Sequence, residues 1–434
     1  MENGGKMITL IPSKYKRIIM ITIEYILALF IILDCNSVYA NLVNSPFNLQ
    51  KMSLVLSAIL IAVICWCYEM NWVEALKSII YPAALVAVIS MILFAFLKFP
   101  NGLRVSYIKF FVMFLPITIM LFKLYRNLDM DNQLFFRISD ILVLLSVLSL
   151  TLWLLGPILG IIQPNKVVQS LWEPMTEINS YWGLQFLRPE QREHIKFLNI
   201  VVYRNIGLYP ESPMFNIVLI LGFCTEIFLR PKLKLRRLVL FFITIVTTFG
   251  SLSIILTAIA IFLKFYINID NDKKWIIYLS GVCLVTLAFI LVIYKKKYAA
   301  GSYSSHLDDL FACLRAWRTS PIFGTGFENN NVIQSNMAEF RKSNKGYTTS
   351  AGAVLAHGGL VLFSIYIIPF IKLISLKNIN KKVNQNLFGI ILFMVFVTYI
   401  FTYRFLLFWL LGFGYSKISL KNEFNISNST NVYK

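Results

Sequence analysis

From residue 141 to residue 162 the chain reads ILVLLSVLSLTLWLLGPILGII, without one charged side chain. Coiled into a helix, such a run is about as long as a bilayer is thick: about 20 residues, rising ~1.5 Å each, cross a hydrocarbon core of roughly 30 Å. Comparable runs fill residues 18–33, 52–68, 79–97, 108–121, 215–229, 275–294 and 351–373. Hydrophobic residues make up 58% of the sequence and charged residues 14%, against about 25% charged in a soluble domain. That excess of hydrocarbon has to face lipid rather than fill one globular core. The runs are continuous and not alternating, which disfavours an outer-membrane barrel. The expected fold class is an all-α polytopic membrane protein.

Two runs do not fit a single crossing. Residues 238–267 would make a helix of roughly 45 Å, too long for one bilayer. Residues 387–415 are similar and carry Arg404 in the middle. Splitting the first near Gly250 and the second near Arg404 gives about twelve spans. Lys6, Lys14, Lys16 and Arg17 place the N-terminus in the cytoplasm, and the first run reads as a retained span because no small-residue cleavage site precedes it. Counting onward puts Lys123, Arg126, Arg137, the run RPKLKLRR and the run KNINKK on the same side. Lys295, Lys296 and Lys297 vote the other way against Lys273 and Lys274. The resulting plan has N-terminal helices in 1–162, a first external loop in 163–213 and central helices in 214–294. A second external loop follows in 295–350, then C-terminal helices in 351–417 and a polar cytoplasmic tail in 418–434. Both loops are expected to hold short interfacial helices. The net charge of +20 comes from clusters between spans. It therefore reads as topology and not as a nucleic-acid surface. The six cysteines give no disulfide framework and no metal spacing.

The two loops carry the chemistry. The first has Arg188, Arg192, Lys196 and Arg204 with Glu190, Glu193 and Glu211; the second has Arg315, Arg318, Arg341, Lys342 and Lys345 with Asp308, Asp309, Glu328 and Glu339. Arginines gain nothing from topology on the outer face. Their planar forks suit phosphate oxygens, so a lipid-linked phosphate or diphosphate is one reading. Solvated salt bridges with the nearby carboxylates, worth about 0–1 kcal/mol each, are the other. The segment HLDDLFACLRAWR repeats apolar residues at helical spacing and places Arg315 and Arg318 on one face, as an interfacial helix would. His357 sits in an apolar span, where a packing histidine is the commoner outcome. Glu24 and Glu226 are intramembrane carboxylates, with Arg230 one turn from Glu226. No GxSxG, Walker or HExxH motif is present, and no cofactor or metal is expected.

In this setting four segments, in order, resemble the O-antigen and capsule repeat-unit polymerases (Wzy type), in the superfamily that also holds the O-antigen ligases. They are Arg204-Asn-Ile-Gly207-Leu-Tyr-Pro210-Glu211, the split pair around VTTFGSLSIILT, Pro321-Ile-Phe-Gly324-Thr-Gly326 after the arginine-bearing helix, and TTSAGAVLAHGGLVLF. Ser251 is followed by Leu252 where many relatives have arginine. Thr349 and Ser350 stand where ligases carry His-Asn, which favours a polymerase over a ligase. The resemblance implies a metal-independent glycosyltransferase of the bacterial cytoplasmic membrane. It would move a growing glycan from polyprenyl diphosphate onto a lipid-linked repeat unit. Its partners would be polyprenyl-diphosphate-linked oligosaccharides, membrane lipid and a chain-length regulator, with no nucleic acid. By the same resemblance Arg204 and Glu211 would be catalytic, and Arg192, Arg315, Arg318 and Arg341 would bind substrate. A flippase for lipid-linked oligosaccharides, also with about twelve spans, is the chief rival, although transporters place their site near the midplane between repeated halves.

Overall fold

The computed structural model describes residues 13–42, 48–70, 72–100, 102–171, 176–188, 194–197, 200–268, 300–341, 346–375 and 380–418. The expected span at 275–294, Arg192, Lys295 to Lys297 and the tail after 418 lie outside the described residues.

Among the described residues, six helices are long and apolar enough to cross a membrane, and three shorter apolar helices join them. The chain thus has the helices of a multi-pass membrane protein. In order they are α1 Lys14–Asp34, α2 Leu49–Cys67, α3 Trp72–Phe96, α4 Arg104–Asn127, α5 Gln133–Ile158, α6 Ser212–Leu229, α7 Leu235–Thr247 and α8 Ser251–Asn268. After these come α9 Ala300–Arg318, the short α10 Asn330–Ser335, α11 Ser350–Ile374, α12 Asn380–Thr398 and α13 Phe405–Ser416. Helix α3 turns Ile80, Leu85, Val88, Ile92 and Phe96 outward, the surface that lipid would cover. By contrast α6 and α13 are buried throughout or nearly so, as inner helices of a bundle should be.

Both expected breaks occur. Helix α7 ends at Thr247 and α8 begins at Ser251, with Phe249 at φ +50° between them. Helix α12 ends at Thr398 and α13 begins at Phe405, leaving 399–404 non-helical inside the protein. Such backbone survives at membrane depth only if its polar groups find partners. Here they do. Ser350 N–H and Oγ–H both donate to Tyr399 O, at 3.0 and 2.7 Å. Asn36 Nδ2 donates to Ile400 O at 3.1 Å, and Gln50 Nε2 to Tyr403 O at 3.2 Å. The Phe405 N–H, first donor of α13, meets the Asp34 carboxylate at 2.7 Å, a favourable charge for a helix N-terminus.

The first long loop departs from expectation. Its described residues form strands and not interfacial helices: β1 Lys166–Ser170, β2 Thr176–Tyr181 and β3 Gln185–Leu187 pair antiparallel in that order, and β4 His194–Phe197 pairs with β5 Ile200–Tyr203. The all-α class therefore needs this small β element added. The second loop does hold a helix, α9, but its apolar face is turned opposite to a core face. Leu307, Leu310 and Phe311 are exposed, while Asp309, Ala312, Cys313 and Ala316 are buried. The small residues allow close approach to α11, where Gly352 packs against Cys313. The outward Leu and Phe side chains suit a helix lying at a bilayer surface.

Both loops lie at one end of the bundle. Val38 N–H donates to Leu208 O and Leu171 N–H to Asn41 O, which fastens the first loop to the α1–α2 connection. Phe327 N–H donates to Lys98 O, which fastens the second loop to the end of α3. The opposite end is sealed by ion pairs. Glu24 is fully buried and meets Arg137 at 2.7 Å and the Tyr125 hydroxyl at 2.6 Å. Glu226, also fully buried, meets Arg230 and Arg237, each at 3.0 Å. These contacts give both carboxylates structural partners, including Glu24, for which the sequence offers none.

Candidate functional site

The segment 203–216 is a built turn. Gly207 adopts φ +56°, and a Cβ there would overlap the Phe215 ring, so glycine is required. Asn205 clamps the turn: its N–H donates to Thr247 O, its Nδ2 to Thr247 Oγ1, and its Oδ1 accepts from Gly207 N–H and from Ser149 Oγ. Tyr209 stacks on Phe215 and donates to Ile32 O at 3.0 Å. This scaffold holds Arg204 half-buried at the mouth of α6, where Nη1 reaches Ser212 Oγ at 3.3 Å. Its Nε is buried and has no hydrogen-bond partner. Glu211 pairs with the almost fully buried Arg188 at 3.0 Å. Arg204 and Glu211 make no ion pair with each other.

The remaining arginines of the expected cradle fall elsewhere. Arg341 is buried and committed to Asp309 at 2.7 Å and to the Ser305 carbonyl at 2.8 Å. Arg315 pairs with Asp308 at 3.0 Å and donates to Asn336 O. Arg318 is exposed on α9. Arg204 makes no hydrogen bond or ion pair with any of the three. The second-loop arginines thus share an end of the bundle with Arg204 but do not converge on it. Tertiary pairing with Asp308 and Asp309 claims two of them.

Two cations that the sequence did not flag as site residues stand out instead. Lys109, near the start of α4, donates to Gln50 Oε1 at 2.7 Å, and Arg404, at the N-cap of α13, donates to Asn41 Oδ1 at 3.3 Å. Both are half-buried, both are held by neutral carboxamides, and neither makes an ion pair with a described residue. Asp34 lies close to both but is occupied by the helix cap, and Glu328 faces both from the second loop. Burial pushes the Glu328 carboxyl above its ordinary range, opposed by the charges of Lys109 and Arg404. The signal available in the sequence was a cation inside an apolar run. In the sequence Arg404 marks a helix break.

Positions 349 and 350, where a ligase would carry His-Asn, serve as structure. Thr349 caps α11 through Gly352 N–H and donates to Val397 O, while Ser350 satisfies the α12–α13 break. His357 is buried with Nδ1 3.0 Å from the Tyr403 hydroxyl, an arrangement of packing. Gly324 and Gly359, both at positive φ, pack backbone to backbone, so the PIFGTG segment lies directly in the kink of α11.

No family model, curated protein or solved structure matches the chain.

Proposed function

We propose that the protein is a membrane glycosyltransferase that lengthens a glycan on polyprenyl diphosphate at the outer face of the bacterial cytoplasmic membrane. The observation that carries this reading is the state of Arg204. A rigid turn holds its guanidinium at the loop end of the bundle, half-buried, with one N–H unsatisfied and, among the described residues, no carboxylate paired with it. Leaving a buried donor unmade costs about 1–3 kcal/mol, a cost that an anionic ligand would offset. A diphosphate at the lipid boundary offers the paired oxygens that a guanidinium fork binds.

The acceptor hydroxyl attacks the anomeric carbon of the donor glycan. The bond from that carbon to the diphosphate oxygen breaks, and the diphosphate leaves with the electron pair. Negative charge grows on the leaving oxygens, and Arg204 stabilises it from a fixed position. Glu211, held by Arg188, accepts the hydrogen bond of the acceptor hydroxyl and takes its proton. Arg318, exposed on α9, remains available to the glycan or its carrier; Arg315 and Arg341 hold the second loop together.

In cells lacking the gene, wild-type protein should restore a glycan ladder. Arg204→Ala should leave single repeat units on the carrier with undiminished protein in the membrane, a loss of at least about a hundredfold. Arg204→Lys should also be impaired, because a point charge does not replace the fork. A normal ladder from Arg204→Ala would refute the assignment.

A further inference from the structure

We propose that Lys109 and Arg404 form a second anion subsite, which takes the diphosphate of the acceptor's lipid carrier while Arg204 takes that of the donor. The inference rests on the polymerase reading and deepens it: joining two carrier-linked glycans requires two diphosphates to be held at once.

The subsite is assembled from four elements. Gln50, at the start of α2, accepts from Lys109 Nζ at 2.7 Å and donates to Tyr403 O at 3.2 Å. One side chain therefore ties the lysine of α4 to the backbone beside Arg404. Asn41 orients the Arg404 guanidinium from the α1–α2 connection and is itself fixed through Nδ2 to Ser37 O at 2.9 Å. Four other buried or half-buried arginines close on carboxylates: Arg137 on Glu24, Arg188 on Glu211, Arg230 on Glu226 and Arg341 on Asp309. Lys109 and Arg404 close on amides, and their like charges act on each other. Two like charges oriented by neutral amides, with no ion pair to a described residue, present donors that suit an anion.

The charged groups facing them are Lys51, Asp34 and Glu328. Asp34 is engaged with Phe405 N–H. Glu328 comes from the second loop, sits at φ +52°, and is the carboxylate that a bound anion would have to displace or outlast. The surroundings suit a lipid. Val105 and Met113 on α4, next to Lys109, are exposed, as are Ile92 and Phe96 on α3. A prenyl chain can lie on that surface with its headgroup at the cations.

The test uses the purified full chain in detergent, titrated calorimetrically with farnesyl diphosphate. Inorganic diphosphate and phosphatidylglycerol in mixed micelles are separate arms. The expected result is two bound probes in the wild type. Lys109→Gln and Arg404→Gln should each weaken one site by about tenfold or more while leaving the other. Arg204→Ala should do the same to the second site. Glu328→Gln should tighten the Lys109–Arg404 site, a gain that a purely structural role would not produce. Lys109→Gln keeps the test open should Arg404→Gln fail to fold. Unchanged binding in a folded Lys109→Gln variant overturns the proposal. So does phosphatidylglycerol binding there as well as farnesyl diphosphate, since the site would then take bulk lipid. One site in the wild type, lost in Arg204→Ala, would sink this subsite and leave the Arg204 reading intact. Two sites with neither sensitive to Arg204→Ala would do the reverse.

Discussion

Arginine side chains in this bundle divide by their partners. At the end away from the loops Arg137, Arg230 and Arg237 close the buried carboxylates Glu24 and Glu226, and the value of such a pair is best seen when one member is removed. Glu24→Gln removes the charge that Arg137 faces and leaves one acceptor oxygen where Arg137 and Tyr125 each use one. Breaking a buried pair from one side costs about 3–5 kcal/mol, whereas replacing both members by well-packed apolar residues is often neutral. Glu24→Gln should therefore lower the melting temperature in detergent sharply, and Glu24→Met combined with Arg137→Met should recover most of it. A melting temperature unchanged in Glu24→Gln would contradict the pairing. Glu328 gives a pH signature. Because burial raises its folded pKa above its ordinary value of 4.5, the unfolded chain ionises first as pH rises. The stability it contributes is complete below 4.5 and is lost as pH climbs through the raised folded value. Melting curves of Glu328→Gln across weakly acidic pH should lack that decline. The sequence showed the arginines but not their fate. Asp308 and Asp309 are adjacent, yet one serves Arg315 and the other Arg341, a division that only the fold of the second loop decides.

At the scale of elements, hydrophobicity was the legible part. Among the described residues the apolar runs form helices, and the two overlong ones break where a glycine and an arginine interrupt them. The strands of the first loop were not legible, because β1 and β2 are short and interleave valine and isoleucine with lysine, glutamine, glutamate and asparagine. Cross-strand pairing sets such strands more than their own residues do. The joint between the second loop and α11 depends on glycine. Gly359 lies at φ +62° and ψ −163° within α11, and a Cβ would collide with the Ile322 carbonyl. Gly359→Ala should cost about 1–3 kcal/mol in backbone strain alone, besides displacing the PIFGTG segment. Protease cleavage within the second loop should accelerate in that variant; an unchanged cleavage rate would show that the loop does not depend on the kink.

For the whole molecule, the arrangement brings both polar segments to one end and the Glu24 and Glu226 ion pairs to the other. The positive-inside pattern assigns the loop end to the outside. Reporters inserted in the first loop near Trp182 and in the second near Asn330 should both report the external side, and one placed between α6 and α7, near Lys232, the cytoplasm. Opposite signals from the two loops would separate Arg204 from the Lys109–Arg404 pair and end the two-subsite arrangement. The catalytic claim is tested most directly with purified protein in nanodiscs supplied only with carrier-linked repeat units, with products resolved by mass. Wild-type protein should yield carrier-linked glycans of two or more units and free polyprenyl diphosphate, and Arg204→Ala neither. Single units persisting with folded wild-type protein, or an undiminished ladder from Arg204→Ala, would contradict the account.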